Sequence, residues 1–397
     1  MNVIAAVMPL SRQSRYYVGP MADDPTEPRP FRFYDNRQKY LTFVTTCDEK
    51  WQVAERAGRE LNGLRPEPPA LRLFDAGIGD GTVLAHLLRA MHQQFPTMPF
   101  FVAGKEISLE DIRLTLDKLP DRLVEHPQTV IALTNLHYAE APTLWPNTSE
   151  KQENLVFRHV ELTGSGSHEF GEQLRALDDF LAENWQVRPS EKTGNPLYVT
   201  PTVLVIHRAD QTFALDSVIP RPGEPRAEYD LVIASQPWRS RVDAEFKVKR
   251  ILAPLSRSLR SNGVLLGIQS MGNDPGLEIV REIWPDEDPF PVDRHELISA
   301  LHTELGDEVR DYDLMALPDS HSQLRYSMHT LPTEIGNSIG TSTLFAAWNA
   351  AIYVAQIEDE RVEKVAISGN YLDATTAVLQ RHGGLWFNDE TFVVRRH

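Results

Sequence analysis

Residues 73–84, LFDAGIGDGTVL, set Asp75, Gly77, Gly79 and Gly81 in a D-x-G-x-G-x-G run between an apolar stretch and a pattern that resumes at Val83. Glycines alternating between a strand and a helix let the main chain approach a partner that side chains would hold off. A second acidic residue, Glu106, ends the next apolar run in MPFFVAGKEIS and is followed by Ile107. A bare loop with two carboxylates suits a ligand without phosphates that offers hydrogen-bond donors. Tight helix–strand packing is the alternative use of the same glycines. The dinucleotide spacing G-x-G-x-x-G, which sets a helix start against a pyrophosphate, is not met, because Thr82 occupies its third place.

A third candidate is Ser235-Gln236-Pro237-Trp238, closing the apolar run of YDLVIASQPW with a hydroxyl and a flat ring. A serine satisfying its own turn beside a packed tryptophan is the bland alternative. His159 and Glu161 alternate on one strand face and His329 lies in RYSMHTLP. None has a third ligand at metal spacing, so they read as structural and no metal is expected. Cys47 is the only cysteine, which excludes intramolecular disulfides and cysteine-rich metal sites. It reads as a small packed side chain on a helix. WPDEDPFPVD reads as a solvated connection, and GSGSHEF as a turn that could present amides at a helix start.

The elements that must hold these residues follow from apolar spacing. ALRLFDAG, MPFFVAGKEIS and TVIALTN read as buried parallel strands. Val83, Leu84, Leu87, Leu88 and Met91, then Ile112, Leu116 and Leu119, recur at helical spacing between them, with Ser108 and Asp111 in a capping arrangement. Strand–helix alternation of this kind makes an open parallel sheet. It stalls after the third strand for a segment with strands expected in NLVFRHVEL, LYVTPTVLVIHR and TFALDSVI and a helix around HEFGEQLRALDDFLAENW. YDLVIASQPW and NGVLLGIQS resume it, and a helix in TSTLFAAWNAAIYVAQI and a strand in GLWFNDETFVV close the chain.

The chain has 397 residues, 41% of them hydrophobic, and a formal net charge of −16 from 40 basic and 56 acidic residues. Such acidity argues against nucleic acid as a partner. No apolar run approaches the roughly 20 residues that span a bilayer, and a cytoplasmic chain is expected. Residues 1–30 are expected to be poorly ordered, with Met1 or Met21 as the start of translation.

The glycine run closely resembles the first motif of class I S-adenosylmethionine-dependent methyltransferases. The resemblance extends to Glu106, where that family keeps an acid for the ribose hydroxyls, to Asn135 and Leu136, which would flank the adenine, and to YDLVIASQPW and SNGVLLGIQS. It implies an α/β, Rossmann-like, mostly parallel seven-stranded sheet with helices on both faces. An α+β insertion would stand between the third and fourth strands, with an elaborated C-terminal region. The domains expected are a helical N-terminal cover at 31–69, the cofactor domain at 70–140 and 228–397, and an inserted subdomain at 141–227.

S-adenosyl-L-methionine is the implied cofactor, held by Asp75, Gly77, Gly79, Gly81, Glu106, Ile107, Asn135, Leu136 and Ser235. Tyr34, Arg37 and Tyr40 lie in a segment that folds over the cofactor in many members. Ser235 and Trp238 are the implied catalytic residues: where planar amino groups are methylated, the fourth strand of relatives ends in [N/D/S]-P-P-[Y/F/W], from which Gln236 departs. The transferase reading takes a small-molecule or protein acceptor, with a homodimer allowed. Its alternatives are an NAD(P)-dependent oxidoreductase and a catalytically silent cofactor-binding scaffold.

Overall fold

A computed structural model of the chain describes residues 37–191, 196–330, 332–336 and 338–397. The expectations for residues 1–30, the two candidate start methionines and Tyr34 lie outside these. Among the described residues twelve strands run in chain order: β1 Leu71–Asp75, β2 Phe100–Lys105, β3 Thr129–Thr134, β4 Val156–Leu162, β5 Val187–Pro189, β6 Pro196–Tyr198, β7 Thr202–Arg208, β8 Tyr229–Ser235, β9 Leu259–Ser270, β10 Tyr312–Met315, β11 Gln323–Ser327 and β12 Trp386–Arg396. Ten form one sheet in the order β10-β12-β9-β8-β1-β2-β3-β7-β4, with β11 also on β12, while β5 and β6 pair separately.

β3, β2, β1, β8 and β9 run parallel to one another in the middle of this sheet. Every residue of β1, β2 and β3 is buried, as expected where both faces of a parallel sheet are covered. Leu71 and Leu73 pack on one face with Leu84, Leu87, Ile112 and Leu116. Ala70 and Phe74 pack on the other with Ile251, Leu252, Leu297 and Leu301.

The sheet is wider than the seven strands expected. β7 pairs antiparallel to β3 through Thr134↔Val203, and β4 runs parallel beside β7. The segment after the third strand therefore adds edge strands to the same sheet. At the opposite edge, β10 pairs with Val393–Arg396 and β11 with Trp386–Glu390 of β12, two short strands sharing one edge. TFALDSVI forms turns, not a strand. Leu215 and Val218, both buried, lie three apart, the spacing of a helical turn.

The N-terminal stretch forms two helices, Arg37–Thr46 and Glu49–Glu60. Cys47 is buried but stands between them, not on a helix, and bridges Met328. Asp48 fixes the join, accepting from Ser327 N at 2.5 Å through its side chain. The first helix packs with Thr341–Val354 and Pro275–Ile283 in a third cluster containing Phe43, Trp348 and Tyr353. Among the described residues no helix is long and apolar enough to cross a membrane.

Candidate functional site

The glycine loop leaves the carboxyl end of β1. Asp75 accepts from Gly77 N at 3.1 Å and is buried. Burial pushes its carboxyl up to about 6, against the opposing pull of the Gly77 N–H and of Lys50. Gly79, at φ +57°, donates its N–H to Glu106 Oε2 at 2.9 Å, and a Cβ there would stand 3.0 Å from Tyr40 Oη. Gly81, at φ +79°, serves packing instead. A Cβ there would lie 2.8 Å from Thr115 Cα, where the helix Thr82–Gln94 meets Leu109–Glu125.

Glu106 follows β2 and joins the two loops. Besides Gly79 it accepts from Ile107 N at 2.7 Å and Ser108 N at 2.8 Å. Burial, with Asp111 adding, raises its carboxyl pKa, while these N–H groups pull the other way. Ser108 accepts from Asp111 N at 3.3 Å, the expected cap, and Trp185 Nε1 donates to the Glu106 carbonyl at 2.9 Å. The carboxylate is thus held in one orientation by three main-chain donors.

After β3 the chain departs from expectation. Asn135 is buried and spends its side chain on the backbone, donating to Thr200 O at 2.9 Å and accepting from Thr202 N at 2.9 Å. Leu136 is wholly buried in the core. The entry of β7 beside β3 demands this knot, so the residues facing open space are the next ones, His137 to Glu140. Tyr138 covers Lys105, whose Nζ lies 4.6 Å from the ring centroid, and donates to Pro237 O at 2.9 Å. Glu140 is fixed by Tyr198 Oη at 3.0 Å and Lys151 Nζ at 3.1 Å.

β8 ends at Ser235. Gln236 follows at φ +47° and its side chain donates to Asp389 Oδ2 at 3.2 Å. Proline, locked near −65°, could not take that conformation, so this turn differs in shape as well as sequence from a double-proline turn. Trp238 is buried against Lys247, whose Nζ stands 5.7 Å from the ring centroid.

These loops enclose a cavity of about 750 Å³, a volume suited to a nucleoside-sized ligand. Of the residues singled out from sequence, Gly77, Gly79, Glu106, Ile107, Ser235, Trp238 and Tyr40 line it; Asp75, Gly81, Asn135 and Leu136 stand behind it. Tyr40 also accepts from Asp80 N at 3.3 Å, so the N-terminal helix closes over the glycine loop. Arg37 opens that helix. Sequence reading missed Glu49, Lys50, Tyr326 and Tyr353, which line the cavity from the N-terminal helices, β11 and the helix Thr341–Val354.

The remaining candidates stand apart. His159 and Glu161 are exposed on the edge strand β4, and His329 is exposed beyond β11. Among the described residues no three His, Cys, Asp or Glu side chains converge to hold a metal ion. The amides of the GSGSHEF turn are taken by Glu169, which accepts from Ser165 N and Gly166 N. In the acidic connection, Glu287 is clamped by Arg241 and Arg361.

No protein-family model and no curated protein matches the chain. Among solved structures it is similar to a geranyl diphosphate methyltransferase, with 13% identity over 86% of this chain and 78% of that one, at a TM-score of 0.31. It is also similar to a phosphoethanolamine N-methyltransferase of Haemonchus contortus, with 10% identity over 94% of this chain and 61% of that one, at 0.31. The [4+2]-cyclase SpnF is 11% identical over 90% of this chain and 81% of that one, at 0.29. Likenesses this distant carry no argument about activity.

Proposed function

We propose that the cavity binds S-adenosylmethionine and that the protein transfers its methyl group by in-line displacement to an acceptor beyond Ser235. The observation that carries this reading is the Gly79–Glu106 pair: a main chain without Cβ lies against an oriented carboxylate at the ends of β1 and β2. The residues suit such a nucleoside. Glu106 Oε2 accepts only from Gly79 and keeps a lone pair for a ligand hydroxyl, Gly79 leaves room beside Tyr40, and Ile107 with Tyr138 offers flanks to a base. Bound there, the sulfonium would supply an activated methyl carbon with a neutral thioether as leaving group.

The chain's own contribution is positioning. Asp75 stiffens the loop, Glu106 orients the sugar, and Ser235 and Trp238 face the transfer point. A general base is required only for an acceptor that is protonated at working pH. The turn at Gln236 does not support an acceptor with a planar amino group. With a net charge of −16, a small metabolite or protein side chain is favoured over a polyanion.

The test is incubation of host lysate with methyl-labelled cofactor and the protein, followed by separation by size. Label is expected in a fraction that stays unlabelled with Gly79→Arg. No label in any fraction from protein that binds the cofactor would replace transfer with silent binding.

A further inference from the structure

One end of the cavity has a chemistry that the cofactor reading leaves unused. Glu49 opens the helix Glu49–Glu60, and Tyr326 lies on β11; both line the cavity and are 6% and 1% exposed. Among the described residues the Tyr326 hydroxyl has no hydrogen-bond partner, nor has Glu49 Oε2. Buried polar groups of this kind are costly unless something pairs with them. Lys50 Nζ stands 3.3 Å from Glu49 Oε2, out of line for a hydrogen bond, and also acts on Asp80 and Asp75. Asp80 has Lys118 as well, 3.3 Å from its Oδ2, so Lys50 is the cation beside Glu49, and it leaves Oε2 without a hydrogen bond. Behind the recess lies Asp389, buried and held far above the ordinary carboxyl range by burial first and Glu49 next.

The walls are aromatic. Phe43 lies 4.9 Å from Tyr353 and 6.0 Å from Tyr326 between ring centroids. Ring faces attract cations and discriminate against anions, and Glu49 adds a charge with an unused lone pair. An anion would meet a carboxylate, and a group without a donor would leave Glu49 Oε2 and the Tyr326 hydroxyl without a hydrogen bond. We infer that this recess takes an aliphatic ammonium group, the charged head of the methyl acceptor; the word acceptor rests on the proposed methyl transfer.

The test uses the full chain, with n-butylammonium as probe and pentan-1-ol and butyrate as neutral and anionic counterparts. Binding is read by saturation-transfer NMR, with and without S-adenosylhomocysteine. Butylammonium alone should bind, and Glu49→Gln should weaken it about tenfold while the affinity for S-adenosylhomocysteine changes by less than about twofold. Tyr326→Phe keeps the ring and should weaken the probe by about threefold; it carries the test if Glu49→Gln does not fold. Equal binding of butyrate or the alcohol, or unchanged butylammonium binding in folded variants, overturns the inference. Binding of butylammonium without any uptake of S-adenosylhomocysteine upholds the recess and removes the cofactor reading alone.

Discussion

Tyr138 reaches from the loop after β3 to donate its hydroxyl to the carbonyl of Pro237 after β8, at 2.9 Å. In the sheet β2 and β1 stand between those two strands, so the bond straps the carboxyl edge of the sheet across the cavity mouth. Tyr138→Phe removes the strap and keeps the ring over Lys105. A net hydrogen bond contributes about 1 kcal/mol, so S-adenosylhomocysteine should leave about fivefold faster. Surface plasmon resonance reads that rate directly.

Two glycines of one motif should fail differently. At Gly81 a Cβ meets Thr115 at 2.8 Å in a left-handed conformation, so Gly81→Ala should cost about 2–5 kcal/mol of stability from strain and overpacking. At Gly77 the nearest atom is Ser235 O at 3.9 Å. Gly77→Ala should stay within about 0.5 kcal/mol yet lose ligand affinity. Denaturant melts and ligand titrations of both variants separate the two effects.

Asp75 should make the fold prefer mild acid. Its carboxyl pKa is raised from an ordinary 3.8 to about 6, so its favourable contribution is fully present below the ordinary value and is lost as pH rises through about 6. A shift of that size corresponds to about 3 kcal/mol. Asp75→Asn cannot titrate. The stability of the wild type relative to this variant should therefore rise as pH is lowered from neutral toward about 4, as measured by urea melts across that range.

Glu106 makes fold and ligand respond to acid in opposite directions. Its raised pKa means that protonation relieves a burial penalty in the empty protein, yet the protonated acid is a poorer acceptor for ligand hydroxyls. Affinity for S-adenosylhomocysteine should fall on acidification, and Glu106→Gln should weaken it about tenfold to a hundredfold. A pH series of binding isotherms on wild type and variant checks both statements.

The middle of the sheet was legible because β1, β2 and β3 are continuous apolar runs, and the glycines mark the turn where side chains must be absent. Asn135 and Leu136 were misplaced because local sequence does not announce that β7 will enter beside β3 and consume the asparagine's hydrogen bonds. β10 and β11 were not expected, and β4 and β7, expected as strands, were not placed in the main sheet, for the same reason: pairing at an edge is decided by long-range contacts. Glu49 and Tyr326 escaped because their neighbourhood is made by β11 docking on the helix break at Cys47 and Asp48. Gln236 was visible as a departure from a pattern, but only its φ of +47° shows that the turn itself has changed.

The most direct test of the cofactor reading is calorimetric titration of the full chain with S-adenosylhomocysteine near neutral pH, with NAD titrated separately. One saturable site for S-adenosylhomocysteine and no heat with NAD is the predicted result. Saturable NAD binding, or folded protein that takes up no S-adenosylhomocysteine, would contradict it.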